Sequence, residues 1–194
     1  MNSIDPNDSS RRDLAGREVV VSDMDDTLLA SDLTVQSLQR LARRKPYLLP
    51  ALMFWYLRGK SVAKAKLAHH AMPDVSSAPE IPEVLSYLKA KKAEGAWIVL
   101  ASASNIKIVQ ATADRFGIFD QVLGSTPGDS FKGGAKADGL DAEFGPAGYT
   151  YIGDCAADLA VWSRAGKAVT VGASAELRAR AEAVSRAFEH INPA

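Results

Sequence analysis

Short apolar runs alternate along the chain with longer segments whose apolar residues recur at helical spacing. That alternation predicts strands joined by crossover helices, and therefore a parallel sheet covered on both faces. The predicted strands are Glu18–Ser22, Trp97–Ala101, Gln121–Gly124, Tyr149–Gly153 and Ala168–Gly172. They are rich in Val, Ile and aromatics, and several are apolar on both faces, as buried parallel strands are. Gly95, Gly117 and Gly166 stand at helix-to-strand joints, where a left-handed C-cap is expected.

Between the first two predicted strands lies an insertion of more than seventy residues, far longer than an ordinary strand-to-helix connection. Helical patterns cover Thr34–Arg44, Tyr47–Leu57, Ser61–His70 and Pro82–Glu94. The last suits the crossover of the sheet, and the earlier ones suit a small helical cap. The expected organisation is a lead-in at 1–17, a core domain at 18–32 and 80–194, and a cap at 33–79. The fold class is α/β: a Rossmann-like parallel sheet with a small helical cap inserted after the first strand. Such sheets bind ligands at the carboxyl ends of their strands, so the cap is expected to sit over the site.

Composition narrows the picture. The 194 residues carry no net charge, which argues against a general nucleic-acid binder. Cys155 is the lone cysteine; it excludes an internal disulfide framework and a multi-cysteine zinc site, and a reducing, cytoplasmic setting fits. Met1–Arg17 is polar and has no apolar core of the kind a secretory signal needs. The most apolar stretch, Tyr47–Leu57, would cover about 16 Å as a helix against roughly 30 Å of bilayer hydrocarbon.

Chemistry gathers where predicted strands end. The first runs into Asp23-Met24-Asp25-Asp26-Thr27-Leu28, and carboxylates at a buried strand end are costly unless a cation or protons compensate them. An Asp-rich turn is the bland alternative; an EF-hand loop is disfavoured because Leu28 occupies its glycine position. The second strand ends in Ala101-Ser102-Ala103-Ser104-Asn105, whose hydroxyls suit an anion at a helix N-terminus. Phe131-Lys132-Gly133-Gly134-Ala135-Lys136 is a glycine-rich approach to a helix with two cations. The fourth strand leads into Gly153-Asp154-Cys155-Ala156-Ala157-Asp158, where hard oxygen ligands suit magnesium and a helix N-cap is the alternative.

Taken in order, strand–D-x-D-x-T, strand–Ser, Lys and strand–G-D-x-x-x-D resemble the haloacid dehalogenase superfamily over essentially Glu18–Gly172. The resemblance implies that the first strand lies between the second and fourth, with Asp154 on one side of Asp23 and Asp25 and Ser102 on the other. It implies a Mg2+-dependent phosphatase in which Asp23 is the nucleophile and Asp25 the general acid and base. Magnesium is then held by the Asp23 and Asp154 carboxylates and the Asp25 backbone carbonyl. Thr27, Ser102 and Lys132 hold the phosphoryl oxygens, with Ser104 able to take part of the role of Ser102 and Lys136 able to replace Lys132, and Asp158 orients the lysine or a metal-bound water. Arg43 to Lys60 and the lysine and Gly153-Asp154 segments are similar to a subgroup often fused ahead of a UbiA-type polyprenyl transferase. A membrane prenyltransferase is thereby an implied partner, by fusion or association, and the chain is either free-standing or one domain of a longer protein.

The implied substrate is a small phosphorylated metabolite or a prenyl phosphate. A receiver domain is a rival, but its phosphorylated Asp ends a middle strand, which here ends in Ala101-Ser102. Asp25 and Asp154 argue for phosphate and metal over carbon–halogen hydrolysis. A phosphotransferase and a catalytically weak module binding phospholipid or prenyl phosphate remain as alternatives. Between Asp32 and Asp74 there is no acid, while Arg40, Arg43, Arg44, Lys45, Arg58, Lys60, Lys64 and Lys66 stand there. The basic cap is therefore expected to meet an anionic, partly apolar partner, such as the inner face of a membrane.

Overall fold

A computed structural model describes Leu14 and residues 16–193 of the protein. Apart from Leu14, Gly16 and Arg17, the predicted lead-in lies outside the described residues. Six parallel strands form one sheet: β1 (Val19–Ser22), β2 (Trp97–Asn105), β3 (Gln121–Ser125), β4 (Thr150–Gly153), β5 (Lys167–Val171) and β6 (Phe188–Ile191). Their spatial order is β3-β2-β1-β4-β5-β6. The chain builds outward from β1 in one direction, then returns and builds outward in the other, which leaves a crevice at the carboxyl ends of β1 and β4.

Side-chain alternation along the strands divides the core in two. Val20, Ile98, Leu100 and Ile152 point to one face. There they meet Val84 and Leu88 of α4 (Pro82–Ala93) and Val109 and Ala113 of α5 (Ile106–Phe116). Val19, Val21, Val99 and Ala101 point to the other face, with Tyr149 and Tyr151. That face is covered by α6 (Gly134–Phe144), α7 (Leu159–Trp162) and α8 (Ala175–Val184). Burial on both sides is what makes these strands read as continuous apolar runs.

The insertion forms α1 (Leu33–Arg44), α2 (Leu49–Leu57) and α3 (Lys60–His70). Asp32 caps α1 by accepting from the amides of Thr34 and Val35. The predicted Tyr47–Leu57 helix begins as a 3-10 turn at Pro46–Leu48 and becomes α-helical at Leu49, with Pro50 in the first turn. The three helices share a small core of Leu41, Leu67 and Ala71, against which Leu48 and Leu52 pack.

Three expectations are corrected. The second strand continues to Asn105, so Ser102 and Ser104 sit in β2 itself, beside a register irregularity with β3. β6 has no counterpart among the predicted strands: Phe188-Glu189-His190-Ile191 lies at the sheet edge, pairs only with β5 and is only partly buried. Gly95 and Gly117 have positive φ, but Gly166 does not. Gly166 is needed for space, because a Cβ there would stand 2.5 Å from the Ala147 carbonyl oxygen. Gly166→Ala should therefore destabilise the protein by about 1–3 kcal/mol, lowering the Tm by about 2–4 °C for each kcal/mol. Thermal unfolding measures this; an unchanged Tm would show that the Ala147 turn yields.

Candidate active site

The crevice beyond β1 and β4 is a cavity of about 250 Å³ whose lining includes Asp23, Asp25, Ser102, Ser104, Lys136 and Asp154. Parallel pairing of β1 with β2 and with β4 brings their ends together, so segments remote in sequence converge. The Asp23 amide donates to the Ile152 carbonyl at 2.9 Å, extending the β1–β4 ladder into the site. A larger depression of about 460 Å³ lies by Arg17, Val19 and Phe144, at the opposite end of β1.

Asp23 is held by Lys136. Its Oδ1 accepts from Lys136 Nζ at 2.9 Å, with side-chain exposures of 13% and 4%. Among the described residues Oδ2 of Asp23 has no hydrogen-bond partner. Lys136 also donates to Tyr151 OH at 2.8 Å and to the Ala101 carbonyl at 3.3 Å. Tyr151 OH in turn donates to Asp158 Oδ1 at 2.9 Å. The other Asp158 oxygen accepts from the Asp154 and Cys155 amides, each at 3.2 Å. Asp158 thus ties the turn after β4 to the lysine that carries Asp23. Gly153 makes room for it: a Cβ there would lie 2.7 Å from Asp158 Oδ2.

Asp25 has a different setting. Oδ1 accepts from the Leu33 amide at 2.9 Å, and Oδ2 accepts from Ser104 Oγ at 2.8 Å and Ser102 Oγ at 3.3 Å. Asp26, between Asp25 and Thr27, has a φ of 57°, a conformation Asp tolerates better than most residues. Leu28 and Leu29 both donate to the Met24 carbonyl, closing the turn that carries the motif.

Burial pushes the Asp23 carboxyl up to about 6, although the Lys136 charge pulls it down. Burial raises Asp25 as well, against the hydrogen bonds from Leu33 and Ser104. Asp154 is pushed up to about 7, by burial first and by the Asp158 charge second. For Lys136 burial acts downward, but the Asp23 and Asp158 charges outweigh it and the net shift is upward. Around one buried lysine, then, stand more carboxylates than it can neutralise.

The sequence-assigned residues divide accordingly. Asp23, Asp25, Ser102, Lys132, Asp154 and Asp158 line the cavity. Thr27 is fully buried and is not among the cavity-lining residues; its Oγ1 donates to Asp154 Oδ1 at 3.0 Å. Its observed contact orients a carboxylate, where the resemblance implied a phosphate. Lys132 is exposed before the turn at Gly133, whose φ is 57°. Lys136, in the first turn of α6, points under the sheet to Asp23. Tyr151 and Lys64 were not singled out from the sequence as site residues. A tyrosine inside a buried apolar strand, two residues before Gly153, was the available signal, since a buried hydroxyl needs a partner.

The donor set suits a hard divalent cation. Asp23 and Asp154 offer carboxylate oxygens with raised pKa values, which a bound cation would lower. Asp154, Cys155 and Asp158 have donor atoms within 4.8 Å of one another. However, both Asp158 oxygens are engaged and the Cys155 thiol, pushed up to about 12 mainly by burial, stays protonated. Asp154 is the member of that trio fitted to magnesium.

Because Asp154 titrates near 7 when folded and near 3.8 when unfolded, the metal-free protein binds more protons folded than unfolded between those values. Its contribution is therefore favourable at low pH and is lost as pH rises towards 7. Asp154→Asn should raise the Tm of the metal-free protein at pH 8 by about 3–6 °C, with little effect near pH 4. Magnesium should raise the wild-type Tm at pH 8 and leave the variant nearly unmoved. Scanning calorimetry at both pH values, with and without chelator, gives the answer; equal Tm values at pH 8 would contradict it.

Comparison with known proteins agrees with this geometry. The family model for haloacid dehalogenase-like hydrolases matches residues 20–163. The chain is 29% identical over 154 residues to the uncharacterized protein y4nM of Sinorhizobium fredii, covering 79% of this chain but 30% of that protein. The chain thus spans under a third of that relative's length. A protein of unknown function from Bordetella pertussis has the same fold, with a TM-score of 0.65 and 19% identity over 89% of this chain and 98% of its own. A substrate-bound phosphoserine phosphatase gives 0.62 and 12% identity, over 89% and 92%. By its matched residues and its sheet, the chain belongs to the haloacid dehalogenase-like hydrolase family.

Proposed function

We propose that the protein is a magnesium-dependent phosphatase, hydrolysing phosphoric monoesters of a small metabolite or a prenyl alcohol through an aspartyl-phosphate. The observation that carries this is the unequal treatment of the two motif carboxylates. Lys136 engages one oxygen of Asp23, fixing the carboxylate while leaving Oδ2 to attack phosphorus in line. Asp25 is desolvated, with its carboxyl pushed upward, the direction a general acid requires.

As the Asp23 O–P bond forms and the ester P–O bond breaks, Asp25 gives its proton to the departing alkoxide. Asp25 then takes a proton from the water that attacks phosphorus, and Asp23 and inorganic phosphate are released. Ser102 and Lys132 line the cavity as donors for phosphoryl oxygens, while Lys136, its three protons directed to Asp23, Tyr151 and the Ala101 carbonyl, holds the nucleophile. Ser104 and Thr27 act as positioning residues through Asp25 and Asp154, and Asp158 acts through Tyr151, which meets Lys136. Asp23, Asp154 and the Asp25 carbonyl would hold a magnesium ion, which would supply charge neutralisation between nucleophile and phosphate. The phosphotransferase alternative shares the first half-reaction, and release of inorganic phosphate without an acceptor alcohol separates the two. The fold likeness to a phosphoserine phosphatase supports the phosphatase reading without choosing the alcohol.

A second reading concerns where the enzyme works. Apolar all round, α2 would ordinarily be buried, yet it has no buried residue. Met53 is 73% exposed and Leu57 83%. The exposed Arg43, Arg44, Arg58 and Lys60 flank it. We propose that this face rests on an anionic membrane surface, the apolar side chains at the acyl boundary and the cations among headgroups. The cytoplasmic face of a membrane is the matching location. Among the described residues no helix is long and apolar enough to cross a membrane.

Three experiments test these readings. Asp23→Asn should lose turnover by a factor on the order of 10⁴ or more with the fold intact, since an amide cannot form the acyl phosphate. Chelation should abolish wild-type activity, magnesium restore it and calcium restore it poorly. Substantial turnover by the variant, or by metal-free enzyme, contradicts the mechanism. For the membrane reading, co-sedimentation with anionic vesicles should exceed that with neutral ones and weaken with salt. Absence of binding at both low and physiological salt would overturn it.

A further inference from the structure

A second cavity, of about 340 Å³, opens beside the catalytic one and shares Thr34, Lys64 and Lys132 with it. It lies among α1, α2, α3 and the segment after β3. Its size falls near the lower end of the roughly 300–1,000 Å³ of small-ligand sites. The shared wall is fixed to β2: Lys64 Nζ donates to the Ala103 carbonyl at 2.9 Å, and Thr34 Oγ1 lies 3.3 Å from Ser104 Oγ. Whatever occupies this cleft is therefore next to the residue that holds Asp25.

The chemistry of the lining is selective. Its apolar part is made by Val35, Leu38, Leu52, Tyr56 and Leu67. Val35, Leu38 and Tyr56 are 47%, 40% and 56% exposed, so they have apolar surface that an occupant would remove from water. The charged part is cationic throughout, and the lining contains no Asp or Glu. The carboxylates that act on Lys64 from outside the lining, Asp25 first and Asp32 after it, belong to the catalytic cavity, and one Asp32 oxygen is spent on the cap of α1. An ammonium group would find no counter-charge here, whereas an apolar group tethered to a phosphate would find both halves matched.

We infer that the cleft receives the alcohol part of the substrate and selects for an apolar one, so that the substrates are phosphomonoesters of aliphatic or aromatic alcohols. Leu38, Leu52 and Tyr56 are the specificity-determining side chains. The inference rests on the phosphatase reading and adds the substrate class to it. One cavity takes the phosphoryl group, and the other takes the group that leaves.

The test separates the two ideas by measuring binding apart from turnover. Ethyl, butyl and hexyl phosphate are titrated calorimetrically into the full-length Asp23→Asn protein with magnesium, and hydrolysis by the wild type is followed in parallel. Affinity should rise about four-fold per methylene until the cleft is filled, and O-phosphoserine should bind more weakly than butyl phosphate. Leu38→Asp should cut the hexyl-to-ethyl affinity ratio at least tenfold, and Tyr56→Ala, at an exposed position, should reduce it in the same direction. A chain-length dependence that these substitutions do not change, or affinity independent of chain length, overturns the inference. Hydrolysis of all the esters at one rate with flat binding would leave the phosphatase reading standing and sink the apolar cleft. Chain-length-dependent binding that responds to Leu38→Asp, but with no turnover, would support the cleft and sink the phosphatase reading.

Discussion

The Lys136–Asp23 contact is the constraint on which the active end of the molecule depends. A carboxylate at the end of a central strand is deprived of water by the same packing that makes the strand stable. Without a cation it would be protonated or the strand end would open. Lys136 meets that need from the first turn of α6, and is itself held by the Ala101 carbonyl and the Tyr151 hydroxyl. Because the Tyr151 hydroxyl donates a hydrogen bond to Asp158, three secondary-structure connections are tied to a single ammonium group. Such a network is costly when only partly satisfied and rigid when complete, which suits the nucleophile role proposed for Asp23.

The second carboxylate shows why two aspartates two residues apart differ chemically. Asp23 follows the direction of β1 and meets the lysine. Asp25 lies beyond Met24, within the turn, and meets hydroxyls and the amide of Leu33 at the start of α1. Both are desolvated, but one has a cationic partner and the other neutral donors. The cap thus contributes to the chemistry through its first residue, besides forming a wall. That arrangement links the apolar cleft to Asp25 through Thr34 and Ser104.

Much of this was legible in the sequence, for identifiable reasons. Strands buried on both faces must be apolar throughout, so β1, β2, β4 and β5 were visible as runs of Val, Ile and aromatics. The strand-end aspartates stood out because buried carboxylates are expensive. The edge strand β6 was not visible, because it is only half-buried and contains Glu189 and His190. The continuation of β2 through Ser102-Ala103-Ser104 was hidden because small hydroxyl residues read as a loop, although there they hold Asp25.

What the sequence determined by itself was the set of chemical groups and the parallel sheet that gathers them, since both follow from local composition and periodicity. What only the tertiary structure decided was which group meets which. Lys136 and Lys132 lie one helical turn apart and are equivalent as residues. The turn at Gly133 and the packing of α6 on the sheet bury the first beneath Asp23 and leave the second at the cavity mouth. Thr27 was drawn to Asp154 by the turn at Asp26. The apolar α2 was left largely uncovered, because only Leu52 and the preceding Leu48 found a place on the small core of the cap. In each case the deciding contact spans many residues, and periodicity carries no information about partners that distant.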